Sequence, residues 1–293
     1  MTYYKSWECQ PGDRYFPVYK AQKRLEKGFF SLRREEPSGV CYLQRQRLIF
    51  SDKVLELPME ELEQIYLDLQ KFWNSESLYR EYQILYKRGI LLHGEPGTGK
   101  TYLIHRVIQY FLEQKDGIVI NLRSFDCFKM FYHLVPEVLR EIEKDRHILT
   151  IMEDFETLCE NSSGNPNTLL LNALDGVKSI DRVVYLATTN FPERLERNIF
   201  NRPGRFDKIQ LISSPSPEVR KAYLQQKLSS RDLEQIDIND WTDKTDGLTI
   251  AHLKELIISV MVLRQELDPT LEMLKKMKIQ PSSKNTRAVG FSN

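Results

Sequence analysis

A glycine-rich loop set between an apolar run and an amphipathic pattern constrains this chain more than any other feature. GILLH (89–93) reads as a short strand, and GEPGTGKT (94–101) follows at once. Leu103, Ile104, Val107, Ile108, Phe111 and Leu112 then recur at the spacing of one buried helix face. A strand, such a loop and a helix form the setting that G-x-x-x-x-G-K-[ST] requires, and a chance glycine-rich turn would lack it. Gly94, Gly97 and Gly99 let the backbone turn sharply and aim its N–H groups at phosphate oxygens, where the helix N-terminus adds favourable partial charge. Lys100 then reaches the β- and γ-phosphates, and the Thr101 hydroxyl ligates Mg2+. The expected nucleotide-binding set is Gly94, Glu95, Pro96, Gly97, Thr98, Gly99, Lys100, Thr101 and Tyr102, and the expected ligands are ATP and Mg2+.

The rest of the chain supplies a matching framework. GILLH, GIVINL, HILTIM, RVVYLATT and KIQLIS are short apolar runs separated by longer segments, several with helical period. Such runs fit parallel strands buried on both faces, and their alternation with helices implies a layered α/β sheet. The fold expected is a P-loop NTPase parallel sheet with helices on both faces, a C-terminal helical lid and a small N-terminal β element. The boundaries fall at 1–55 for the β-rich element, 56–213 for the α/β core, 214–278 for the lid and 279–293 for a polar, mobile tail. Within the first segment, KGFFSLRREEPSGVCYLQRQRLIF reads as two or three short strands, with turn chemistry at EEPSG. Its arginines, among them Arg33, Arg34, Arg45 and Arg47, fit a solvated strand face or a basic binding surface. Met59, Leu62, Ile65, Tyr66, Leu69, Phe72 and Trp73 form a helical core stripe after Pro58.

A nucleotide site that hydrolyses needs one carboxylate for the metal and one for the attacking water. HILTIMEDFE places Glu153 and Asp154 at the end of a strand pattern, where an open α/β sheet gathers its ligands. Here the chain resembles the AAA branch of the AAA+ ATPases, whose carboxylates usually read Asp then Glu. The reversed order resembles the branch that includes the mitochondrial cytochrome-complex assembly chaperone, along with phage and bacterial AAA ATPases. By position, the resemblance gives Glu153, with Thr101, the Mg2+ and Asp154 the water. Over residues 85 to 260, LLLNALDGV (169–177) resembles the helix between the carboxylates and the next strand. Asn190, after RVVYLATT, stands where the family has its polar sensor of the γ-phosphate. RNIFNRPGRFD resembles the second region of homology, so Arg202 and Arg205 take the place of arginines that reach a neighbouring subunit's site. TDGLTIAHLKEL resembles the start of the lid helix near the adenine, with Gly247 in the turn and His252 where an acidic residue is common. A homo-oligomeric ring, usually a hexamer in this family, is implied.

The same resemblance aligns INLRSFDCFKMFYHLV with the segment that puts aromatics into the central pore of AAA unfoldases. Phe131 and Tyr132 take those positions, to grip an extended polypeptide, although Phe125, Phe128 and Phe131 also fit one core-packing stripe. Three classes of function follow: a protein-remodelling ATPase, a helicase-loader-like ATPase acting on nucleic acid, or a nucleotide-gated assembly module with little turnover. Forty-two basic against forty-one acidic residues leave a net charge of +1, which gives no bulk attraction for nucleic acid or anionic membrane. That balance, with RPGRFD, favours a protein substrate. Four scattered cysteines with no C-x-x-C pair, no apolar leader and no span-length apolar run point to a cytoplasmic chain with reduced thiols and no membrane span.

Overall fold

The computed structural model describes residues 6–18, 24–35, 39–48, 55–160, 174, 180–195, 199 and 205–278. The chain divides into two compact units, residues 1–95 with 99–213, and residues 96–98 with 214–293. In the first unit the order is β1 (Ser6–Gln10), β2 (Arg14–Val18), β3 (Gly28–Arg34), β4 (Cys41–Gln46), α1 (Glu60–Trp73), α2 (Glu76–Glu81), β5 (Lys87–His93) and α3 (Lys100–Gln114). Then come β6 (Ile118–Asn121), α4 (Phe125–Leu134), a π-helical turn (Val135–Leu139), α5 (Arg140–Ile142), β7 (Ile148–Met152), α6 (Phe155–Glu160), β8 (Val183–Thr189) and β9 (Lys208–Leu211).

One nine-stranded sheet runs β1-β2-β4-β3-β6-β7-β8-β5-β9. From β3 to β9 all neighbours are parallel. The apolar runs form its middle: every residue of β6, β7 and β8 is buried, as helices on both faces demand. The N-terminal strands, expected as an element of their own, continue this sheet. β3 pairs with β6 from Gly28↔Ile118 to Ser31↔Asn121, and β4, β2 and β1 add antiparallel hairpins beyond it. A buried charged clamp secures the junction. The Glu143 carboxylate accepts from the Leu25 N–H at 2.9 Å and lies 3.4 Å from Arg146, whose guanidinium donates to the Leu25 carbonyl at 2.7 Å.

The stripe expected in α1 is the observed one, with Met59, Leu62, Ile65, Leu69, Phe72 and Trp73 buried and Tyr66 half-buried at its edge. Trp73 packs on Phe111 of α3 at 5.0 Å, and Arg106 of α3 pairs with Glu63 while lying over the Tyr66 ring. The second unit is helical: α7 (Pro217–Lys227), α8 (Ser230–Leu233), α9 (Ile238–Lys244), α10 (Ile250–Ile257), a π-helical turn (Ile258–Val262) and α11 (Leu267–Lys278). Buried Arg220 joins α7 to α9 by donating to the Thr242 carbonyl and to Asp246. No described helix is long and apolar enough to cross a membrane.

The structure corrects the expectation for the aromatic pair. Phe131 is fully buried and Tyr132 nearly so, both within α4 and the main apolar cluster. Phe131 meets Tyr185 of β8 edge to face at 6.3 Å. Phe128, Phe131 and Val135 follow helical spacing, so α4 turns this stripe onto the sheet and leaves neither aromatic for an extended peptide. Phe131→Ala should therefore cost about 3–5 kcal/mol of stability, as large-to-small core changes do. Urea unfolding of the variant checks this, and a loss below about 1 kcal/mol would contradict the packing described.

Candidate functional site

Three strand ends converge on the phosphate loop because the parallel ladder holds them in step. His93 of β5 pairs with Thr189 of β8, and Met152 of β7 with Ala187 of β8. The residues that follow, Gly94, Glu153–Asp154 and Asn190, thus emerge along one edge, the carboxyl end at which open α/β sheets bind ligands. Gly94 has φ +147°, and a Cβ there would lie 2.3 Å from the Ile212 carbonyl oxygen, so the close approach of the chain after β9 excludes a side chain. Gly97 has φ +77°, and its Cβ would meet Ala251 at 2.5 Å and the Thr249 hydroxyl at 2.8 Å. Its carbonyl accepts from the Ala251 N–H at 3.3 Å, at the start of α10.

α3 begins directly after the loop, with Gly99 as a left-handed N-cap at φ +108°. No side chain caps this end and its first turn holds no acidic residue, while Lys100 occupies the first helical position. Helix N-termini favour negative charge, and this one carries a cation. The arrangement suits an external anion. Lys100 donates to the carbonyls of Gly94 and Glu95 at 2.7 and 2.8 Å. Burial depresses its pKa to about 8, against the opposing pull of Asp154, Glu156 and Glu95. Tyr102 donates its hydroxyl to the Leu55 carbonyl, tying the start of α3 to the segment ahead of α1.

The two carboxylates are held apart by different partners. The Thr101 hydroxyl donates to Glu153 Oε1 at 3.0 Å, and the Asn190 amide donates to Asp154 Oδ1 at 3.1 Å. Glu153, Asp154 and Thr101 are exposed, with the carboxylates open to a ligand. Asp154 has φ +49°, a left-handed conformation that Asp tolerates better than most residues. Thr101 and Glu153 offer hard oxygen donors to one point, which fits Mg2+, an ion that keeps waters and takes phosphate oxygens in place of an all-protein cage. Among the described residues no group of three His, Cys, Asp or Glu side chains could hold a metal alone.

Other expected site residues are placed as follows. Gly247 has φ +73° and precedes the capping box of α10, in which His252 Nδ1 accepts from the Thr249 N–H at 3.3 Å. His252 thereby does the work of an acidic third residue, which explains how an imidazole can stand at that position. Arg205 is only 6% exposed, and its backbone packs so tightly on Gly89 that a Cβ there would come within 2.3 Å of its carbonyl oxygen. The expectation of an arginine projecting to a neighbour is not met at Arg205 in the single chain. Arg202 and all but Leu174 of the 169–177 helix lie outside the described residues. Sequence reasoning missed Glu156. It is buried two residues beyond Asp154, with one carboxylate oxygen lacking a hydrogen-bond partner, and its charge acts on Lys100. Its only signal was an acid inside the apolar face of FETL.

Comparison with known proteins adds a family. Residues 90–214 match the model described as ATPase family associated with various cellular activities (AAA). The chain is 26% identical over 276 residues to a cell division cycle protein 48 homologue of Archaeoglobus fulgidus, covering 82% of this chain and 37% of that protein. It is 28% identical over 222 residues to an ATP-dependent zinc metalloprotease FtsH of Aster yellows witches'-broom phytoplasma, covering 68% and 32%. Against the proteasome-activating nucleotidase of Methanosphaerula palustris it is 26% identical over 260 residues, covering 75% and 62%. The matched stretch thus spans less than two thirds of each of these relatives.

The lowered Lys100 pKa sets a pH dependence. Phosphate oxygens that replace the two loop carbonyls stabilise the ammonium, so nucleotide binding raises this pKa and takes up a proton wherever free Lys100 is neutral. Affinity should be level below the free-state value of about 8 and fall above it. The limiting slope is roughly tenfold per pH unit, until the bound-state pKa is reached. Calorimetry of ADP binding in buffers of differing ionisation heat should show no Lys100-linked uptake at pH 7 and near-stoichiometric uptake at pH 9. Lys100→Arg should abolish the pH 9 uptake. Equal uptake in the variant would remove Lys100 from the site.

Proposed function

We propose that this chain, which carries an AAA ATPase domain, hydrolyses ATP within a homo-oligomeric ring and uses the cycle to remodel a protein substrate. One observation carries the catalytic part: Glu153 is bonded to Thr101 and Asp154 to Asn190, which supports separate tasks for the carboxylates beside a helix N-terminus suited to phosphate. Mg2+, when bound, would neutralise phosphate charge. Thr101 and Glu153 would hold it. Lys100 and the loop N–H groups hold the β- and γ-phosphates. Asp154, fixed by Asn190, orients a water and accepts its proton as the water oxygen bonds to the γ-phosphorus and the bond to the ADP oxygen breaks. Relatives named for a metalloprotease and for proteasome activation support a polypeptide substrate. A cytoplasmic location fits the scattered cysteines, none of which is joined in a disulfide.

The ring supplies what one chain lacks. Charge on the transferring phosphate calls for an arginine, and one contributed in trans is worth about 10³–10⁵ in rate. Arg202 takes that role ahead of Arg205, whose side chain is buried. Asp154→Asn should bind ATP·Mg2+ with little change and hydrolyse it at least a hundredfold more slowly, within the range that proton transfer contributes. Glu153→Gln should instead weaken metal-dependent binding. Mixing Arg202→Ala chains with Asp154→Asn chains should restore turnover, because some interfaces then join an intact carboxylate to an intact arginine. Steady-state ATPase assays across mixing ratios measure this. Near-full turnover by Asp154→Asn would refute the assignment of the water, and no recovery at any ratio would refute the shared site.

A further inference from the structure

Where β3 ends and β4 begins, these strands and α4 leave a groove of about 650 Å3 between them. It opens on the same edge of the sheet as the phosphate loop, because β3 runs parallel to β6 and, through β7 and β8, to β5. Four strand spacings separate β3 from β5, roughly 19 Å at about 4.8 Å each, so the groove stands apart from the nucleotide. Its floor is apolar, with Leu134 and Val138 buried, Met130 half-buried and Val40 exposed. Its rim is charged, and two of those charges are already answered. Asp126 lies in the first turn of α4, where a helix N-terminus favours an acid. Glu137 has the His133 imidazole 3.9 Å away. Arg34 and Lys129 are exposed and have no acidic partner among the described residues. The Arg34 guanidinium lies over Gly39, where a Cβ would come within 3.1 Å of it.

We propose that this groove receives an extended protein segment in which apolar side chains alternate with carboxylates. Charge complementarity chooses the occupant. The two unanswered cations call for acids, and the floor between them calls for apolar side chains. An extended chain offers both, since successive side chains point to opposite sides: one set enters the floor while the other stays at the rim with Arg34 and Lys129. The length also fits. The wall from Asp126 to Val138 is roughly 18 Å of helix, which about five extended residues cover. A nucleic acid strand would meet the same two cations, but its unbroken row of phosphates would also run past Asp126 and Glu137 on that rim, and like charges there oppose it. The inference rests on the reading of a protein substrate and deepens it, by naming the kind of stretch through which such a substrate is held.

Fluorescence anisotropy with labelled peptides tests it. The probes are a peptide of alternating leucine and glutamate, its leucine and lysine counterpart, and a peptide of glutamate alone. The unaltered protein should bind the first at least about tenfold more tightly than either of the others, as matched against mismatched charge and an unfilled floor imply. The double variant Arg34→Glu, Lys129→Glu should reverse the preference between the first two, and Val40→Asp should weaken the first. All three positions are exposed, so both variants should melt as the unaltered protein does and hydrolyse ATP at its basal rate without peptide. Equal affinity for the leucine peptides would overturn the inference, as would binding of the glutamate peptide as tight as the first. So would a double variant that keeps the acidic preference, or one that loses binding of a single-stranded oligonucleotide and not of the peptide. An unfolded acidic protein that raises ATP turnover equally in the unaltered protein and the double variant would remove the groove and leave the remodelling reading standing. Acidic preference in the groove, with no polypeptide raising turnover, would support the groove and remove the remodelling reading.

Discussion

Parallel hydrogen bonding among β5, β8 and β7 decides where the reactive groups can stand. Pairing His93 with Thr189 and Met152 with Ala187 brings three chain segments to the same edge at once. A slip of one residue would turn side chains to the opposite face and bury the carboxylates in place of Ile151 or Met152. The fully buried apolar runs of β6, β7 and β8 make that slip costly. The hydrophobic pattern that fixes the sheet therefore also fixes the spacing between loop, carboxylates and Asn190. The N-terminal strands share in this. Their pairing with β6 and the Glu143–Arg146 clamp cover the edge that β6 would otherwise present.

Against this rigid frame the start of α3 carries charge of the wrong sign for its dipole. A cation heads α3, burial drives its pKa down to about 8, and two backbone carbonyls hold the ammonium in place. A bound phosphate would resolve each of these together. It supplies charge to the helix N-terminus, acceptors to the loop N–H groups and a counter-ion to Lys100. A helix that begins on a cation and holds no acid in its first turn is thus suited to an anion supplied from outside. Glu156 moderates the arrangement from behind, since its buried carboxylate favours the charged form of Lys100.

How much of this was legible depended on the range of the interaction. The phosphate loop, the strands and the α1 stripe are written in neighbouring residues, and each stands where its local pattern puts it. Phe131 was ambiguous because the same spacing serves a core stripe or an aromatic pair. What decides is Tyr185 of β8, far along the chain, which makes the site under α4 a packed one. The junction of β3 with β6 was hidden for the same reason: Leu25, Glu143 and Arg146 meet across more than a hundred residues. Arg205 fits the family motif, yet its motif carries no information about the close packing of its backbone on Gly89.

The reversed carboxylates find a physical reason in the backbone. Residue 154 sits at φ +49°, where a short side chain that can bond locally is accommodated at least cost, and Asp is among the few residues enriched there. Glutamate at that position would combine a strained backbone with a longer, less ordered arm. At residue 153 the demand is the opposite. Its carboxylate must cross to the first turn of α3, and the extra methylene of glutamate brings Oε1 to 3.0 Å from the Thr101 hydroxyl. The lengths of the two arms are therefore matched to two distances, one to α3 and one to the Asn190 amide that lies 3.1 Å from Asp154. Exchanging the two acids while keeping the same backbone would leave one arm short of Thr101 and crowd the other against Asn190. The Glu-Asp order belongs with the left-handed turn that follows β7, and the two have to change together.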